Sequence, residues 1–303
     1  MGEDGSQAGG GPDGRRPTAP GRIVAGVDGS DPAHIAAQWA AAQAHRRNTA
    51  LHLVHAVGTT RETLFTSEET IRLVRSAGER LLSVTRDRLT ARFPGLEVTC
   101  ELVSSGPQEA LRGIAAPGET LVVGSRGQGG FGSLMLGSVG LGLVSDSPVP
   151  VVVVRGEPAD GTGRPVVAAV RDEDDRPWAV MAAQEAALRG VGLRLLSVWG
   201  LVPQVGGVVS LLDGSGTAAG RHRERIESLA EAVRAELPGP AVEVAVEPSA
   251  SAAGVLVDAS REAVLLVMGN RRSGRTLGPS VGRTAHAVLH HAHCPVLVAP
   301  VPR

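Results

Sequence analysis

The strongest constraint on this chain is that one succession of segments occurs twice. The run Ile23 to Val27 returns as Val166-Val167-Ala168-Ala169-Val170, and Leu51 to Val57 returns as Leu193 to Trp199. Thr120 to Gly124 returns in Ala263 to Gly269. Val149-Pro150-Val151-Val152-Val153 returns as Cys294-Pro295-Val296-Leu297-Val298. A duplication this regular means two copies of one arrangement. In the first copy, helical stretches over Ala33–Arg46, Glu68–Arg92, Gln108–Ala116 and Ser138–Ser145 separate aliphatic strands, with an alternating strand at Leu96–Val103. Strands alternating with helices imply a parallel sheet, because each right-handed crossover helix must pack on a sheet face. The expectation is two tandem, open, mostly parallel five-stranded α/β domains. Ligands in such sheets bind beyond the carboxyl ends of the strands, where strand order switches.

Composition agrees. Hydrophobic residues make up 42% of the 303, but aromatics only 2%, with no Tyr, so aliphatic side chains must fill the core. Buried parallel strands have that character. Residues 1–20 are Gly- and Pro-rich and read as a disordered tail; domains are expected at 21–156 and 166–303, joined by a Gly/Pro linker at 157–165.

A formal net charge of -1 gives no bulk attraction to nucleic acid or to an anionic membrane, so neither is expected as a partner. Every one of the 30 basic residues is Arg. That excludes chemistry built on a P-loop lysine, a kinase-type lysine or a Schiff base. Cys100 and Cys294 lie far apart and read as thiols in a reducing compartment. There is no secretory signal and no run of about 18 apolar residues, so a cytoplasmic location is expected.

The chemistry concentrates after the fourth strand, in Gly124-Ser125-Arg126-Gly127-Gln128-Gly129-Gly130-Phe131-Gly132-Ser133-Leu134-Met135-Leu136-Gly137-Ser138. So little side chain lets backbone N–H groups converge on an anion, and the following helix adds its positive end. Ser138 could cap that helix, donate to a phosphate, or both. Asp28 ends the first strand and could face a ligand or cap the helix near Asp31-Pro32.

The spacing Gly124-x2-Gly127-x9-Gly137-Ser138, the strand-end Asp28 and the Pro-Val-Pro-Val-Val-Val strand resemble the ATP-binding branch of the universal stress proteins. The tandem arrangement is similar to that family's two-domain members, and the likeness covers the chain from about residue 20. The resemblance implies a Rossmann-like, adenine-nucleotide-hydrolase-like fold and a site for ATP, with Mg2+ as a companion that phosphates commonly bring. It implies that Asp28, with Gly26 in the same turn, lies near the adenosine, that Ala56 contacts adenine through its backbone, and that Gly124, Gly127, Gly137 and Ser138 hold ribose and phosphates. Arg126 could reach the phosphates or remain a solvated loop arginine; Ser125, Gly129, Gly130 and Val139 complete the expected set. It also implies that the strands Val149–Val154 and Val296–Ala299 pair between domains, making an internal pseudo-dimer from which a homodimer could be built.

Gly127-x-Gly129-x-x-Gly132 also matches the dinucleotide fingerprint, but that motif belongs after the first strand, with an acid ending the next. Here the next strand ends in Arg155. The second half departs from the first: Arg171 stands for Asp28, Arg272 for Gly127 and Arg283 for Ser138, while Gly269 and Gly282 persist. Its site is expected to be weakened or lost, or altered for a different anion. His286 and His290 share a helix face, but no Cys or acid completes a metal cluster there. Function reads as nucleotide-dependent binding and regulation in stress response. An ATP hydrolase is an alternative, but Gly124–Ser138 contains no Asp, Glu or His to position water, which argues for slow turnover at most. A scaffold that binds no nucleotide is another.

Overall fold

The computed structural model describes residues 21–58, 67–127, 136–155, 163–200, 215–270 and 281–300. The expected tail at 1–20 and most of the expected linker lie outside them. In the first half β1 (Ile23–Gly26), α1 (Asp31–Arg47), β2 (Leu51–Ala56), α2 (Glu68–Arg92), β3 (Val98–Val103), α3 (Pro107–Ile114), β4 (Thr120–Gly124), α4 (Ser138–Asp146) and β5 (Val151–Val154) follow in order. The second half repeats them as β6 (Val166–Ala169), α5 (Arg176–Arg189), β7 (Leu193–Gly200), α6 (Ser215–Glu236), β8 (Val242–Ser249), α7 (Ala252–Ala259), β9 (Leu265–Gly269), α8 (Arg283–His291) and β10 (Val296–Ala299).

Together the strands form one ten-stranded sheet in the order β3-β2-β1-β4-β5-β10-β9-β6-β7-β8. Every pairing is parallel except β5 with β10, where Val151, Val152 and Val153 face Val298, Leu297 and Val296. Each half therefore runs from its first strand outward, then returns to the other side of that strand. The order switches between β1 and β4, and again between β6 and β9.

Alternation along the strands supplies two cores. Ile23 and Ala25 point into one and Val24 into the other; each core continues unbroken into the second half, through Val166 and Ala168 on one face and Val167 on the other. This is why the strands read as aliphatic runs rather than alternating polar and apolar. Helix α1 lies close on the sheet because the residues it buries include Ala33, Ala36, Ala37, Ala40, Ala41 and Ala44. Ser30 caps its start, Pro32 occupies its first turn, and Asn48 ends it in the left-handed conformation.

Beyond the paired strands, side chains cross between halves. Helices α1 and α5 meet at a buried cluster. Glu185, 1% exposed, accepts from Gln43 Nε2 (2.9 and 2.7 Å) and pairs with Arg47 and Arg189, while Arg189 also donates to Gln43 Oε1 (2.6 Å). Burial would raise the Glu185 carboxyl, but Arg189 and Arg47 overcome it and hold the group below its ordinary range. Arg155 donates to the Leu289 carbonyl (2.8 Å), and buried Asn270 donates to the Val144 carbonyl (2.7 Å).

Candidate functional site

The turn after β1 is built on Asp28. Its Oδ1 accepts from the Ser30 amide (2.9 Å) and the Ser30 hydroxyl (2.6 Å), and the Ser30 hydroxyl oxygen accepts in turn from the Ala33 amide (3.3 Å). Gly29, at φ 84°, makes this turn possible. Helix α1 is thus capped by Ser30, and Asp28 braces the cap from outside it. The pattern Asp-Gly-Ser-Asp-Pro carries that arrangement in the sequence, where Ser30 was not singled out.

The loop after β4 comes back against the same turn. A Cβ placed on Gly127 would lie 2.5 Å from Asp28 Oδ2, so any side chain there would drive into the carboxylate. Gly124 meets a different limit: its Cβ would lie 2.7 Å from the Pro32 carbonyl, because the first turn of α1 rests on the end of β4. The Ser125 amide donates to Val154 O (3.0 Å), and the Ser125 carbonyl accepts from the Gly137 amide (2.8 Å). That last bond closes the neck of the loop and sets Gly137 against Arg126.

Asp28, Ser125, Arg126, Gly127, Gly137 and Ser138 therefore gather at one neck, at the switch in strand order. Ser138 differs from one sequence expectation: Gly137 is the N-cap of α4, without a side-chain cap bond, and Ser138 is the first helical residue, with an exposed side chain. A glycine cap leaves amides of the first turn without a side-chain acceptor of their own, which suits an anion. Gln108 on α3, missed in the sequence, donates to the Ser138 carbonyl (2.8 Å) and holds α4 in place.

The remaining expected residues flank this neck. Gly26 ends β1 beneath Leu111, whose methyl would lie 2.9 Å from an added Cβ. Ala56 ends β2, and its neighbour His55 donates from Nδ1 to the Val27 carbonyl (2.7 Å), tying β2 to the turn that carries Asp28. Val139 is half-buried and packs on a core. Gly129 and Gly130 lie outside the described residues.

Positive charge stands beside the neck. Arg155 follows β5; burial first, and then the Arg126 guanidinium, lower its pKa below the usual arginine value. Two guanidiniums thus share the carboxyl ends of β4 and β5. The second half also reaches in, since the Leu136 amide donates to His290 Nδ1 on α8 (3.2 Å). The His290 ring lies against that of His286 in a tilted arrangement, with centroids 4.3 Å apart. Among the described residues no group of three or more His, Cys, Asp or Glu is placed to hold a metal, and no helix is long and apolar enough to cross a membrane.

The profile of the universal stress protein family matches residues 20–155 and again 163–300. Universal stress protein Rv2005c of Mycobacterium tuberculosis is 32% identical over 295 residues, covering 91% of this chain and 96% of that protein. A second protein of that organism, Rv2623, is 31% identical over 297 residues, covering 91% and 95%. Among solved structures, a universal stress protein from Archaeoglobus fulgidus superimposes with a TM-score of 0.73 at 19% identity, covering 94% of this chain and all of the other. The double match, the full-length relatives and the repeated half-sheets agree: the chain belongs to the universal stress protein family, as a tandem member carrying two copies of its domain.

Proposed function

We propose that the chain is a nucleotide-dependent regulatory module of the cytoplasm, in which the first half, residues 21–156, binds ATP. The observation that carries this reading is the contact of Gly127 with Asp28. A carboxylate that can accept from nucleoside hydroxyls stands directly against a loop with no side chain at that point. Around it lie the bare first turn of α4 and the guanidiniums of Arg126 and Arg155, which suit phosphates. Gly26, Ala56, Ser125, Gly129, Gly130, Gly137, Ser138 and Val139 complete the proposed contacts, and Mg2+ would enter on the phosphates. The second half, 166–303, lacks the acid, the second glycine and the serine, so it serves as structural partner in this reading.

Binding, rather than turnover, is favoured because Gly124–Ser138 supplies no general base. Nucleotide would act by favouring one arrangement of the loop or of a homodimer, which requires unequal affinity for the two arrangements. Calorimetric titration of ATP into the full chain tests the reading. One ATP per chain is expected, with Asp28→Ala and Gly127→Val each weakening it. Two equivalent sites, or no affinity for any adenylate at micromolar protein, would overturn it. Phosphate release at ordinary enzymatic rates would favour the hydrolase instead.

A further inference from the structure

The second half holds a cavity of about 360 Å³ at the carboxyl ends of β6 and β9, bounded by α7 and the first turn of α8. Strand registers place it where the first half has its neck: Ile23 pairs with Leu51 and Thr120 as Val166 pairs with Leu193 and Leu265. Its size lies within the roughly 300–1,000 Å³ of small-molecule sites, which are mostly apolar with a few placed polar groups.

The counterpart residues have changed together. Where the first half has Gly26, Val54, Ala56 and Val123, the cavity wall has Ala169, Leu196, Val198 and Met268, each larger. Leu256 and Trp178 add to the apolar lining. The Trp178 indole N–H donates to the Ala169 carbonyl (3.1 Å), and its ring lies where a Cβ on Gly269 would come within 2.7 Å, so the ring is held in place.

At the mouth, arginines replace an acid and a serine, while the buried Asp175 carboxylate also lines the cavity. Arg171 stands for Asp28 and Arg283 for Ser138; both are exposed, and among the described residues neither guanidinium forms an ion pair. The turn bearing Arg171 is fixed by its own amide, which donates to the buried Asp175 carboxylate (2.6 Å). Gly282 caps α8 without a side-chain cap bond. A guanidinium only donates, so ribose hydroxyls lose the acceptor that Asp28 offers in the first half.

We propose that this cavity is a second ligand site, for a small carboxylate with a hydrocarbon or aryl body. The body lies against Leu196, Val198, Leu256 and Trp178, and the carboxylate sits between Arg171 and Arg283. This is independent of nucleotide binding in the first half.

Octanoate and 4-phenylbutyrate, titrated into the full chain, test the proposal. One binds per chain. The double variant Arg171→Gln/Arg283→Gln weakens binding on the order of tenfold or more, as loss of charge-assisted hydrogen bonds does, with an unchanged melting curve. Ala252→Phe, which fills the cavity from α7, abolishes it. Gly127→Val in the first half leaves it intact. The proposal is overturned by no binding at millimolar concentration, by octanol binding as tightly as octanoate, by arginine variants that bind normally, or by ATP displacing octanoate stoichiometrically.

Discussion

The two halves share strand order and diverge at one end of the sheet. In the first, Asp28 faces Gly127, and the two fit only because position 127 has no side chain. In the second, arginine stands at the positions of Asp28, Gly127 and Ser138. A side chain at position 127 alone would have met the Asp28 carboxylate, so the loss of the acid and the loss of the glycine are compatible with each other. The same lesson holds inside the junction, where Gln43 on α1 is the counterpart of Glu185 on α5. Two arginines, Arg47 and Arg189, share one carboxylate. Identical subunits would have to bury two carboxylates or none at that point, whereas joined halves can differ.

That asymmetry can be broken directly. Glu185→Gln removes the acid that holds two buried guanidiniums and should cost about 3–5 kcal/mol in denaturant unfolding. The swapped pair Gln43→Glu/Glu185→Gln should recover most of the loss, since Arg47 and Arg189 flank both positions. No recovery would mean that the two positions are not equivalent. Acid sharpens the same comparison. The Glu185 pKa is lowered on folding, so its contribution is present above the unfolded carboxylate value of about 4.3 and is lost as pH falls through the folded value. Wild type and Glu185→Gln should therefore converge in stability in acid.

The next largest effect is on ligand. Gly127→Val should reduce ATP affinity by at least about tenfold, or about 1.4 kcal/mol, while Arg171→Gln should leave it unchanged; equal losses would mean that nucleotide occupies both halves. Ser30→Ala, read by thermal unfolding, should cost about 1 kcal/mol as a lost helix cap. The corresponding turn in the second half is instead a short 3-10 helix, Glu173–Asp175, with Asp172 as its cap. The smallest contrast is between thiols. Burial pushes Cys294 up to about 12, so it should ignore a disulfide reagent until the chain unfolds, whereas exposed Cys100, raised chiefly by partial burial, should react slowly in the native protein.

Much of the architecture was legible in the residues. Thr120–Gly124 and Glu68–Arg92 match β4 and α2 residue for residue, because aliphatic runs and long helical periodicity are strong local signals. The valine strands read as aliphatic edges in need of a partner, and the family resemblance implied that they pair with each other, as β5 and β10 do. Ser138 as a cap was misjudged: the helix does begin at Ser138, but the cap is Gly137, whose amide is bonded to the Ser125 carbonyl, and serine's preference for caps is only a local signal. The Gln43–Glu185 cluster was not legible, since its members are 142 positions apart and each looks like one polar residue in an alanine-rich helix. Nor does any local pattern show that Leu136 is tied to His290. Asp28 and the glycines stood out because a strand end and a bare loop are unusual in themselves; which of them touch required the fold.

The antiparallel junction also limits how far the sheet can grow. Strands left at a margin present unsatisfied amides and carbonyls to any passing copy. Here two fully buried aliphatic strands, β5 and β10, are sealed against each other in the middle, and β3 and β8 are left outside. Those rims carry exposed Glu101 on one side and exposed Glu243, Glu247 and Pro248 on the other. Carboxylates and a proline oppose edge-to-edge stacking, so among the described residues both rims of the ten-stranded sheet are poor templates for a further strand.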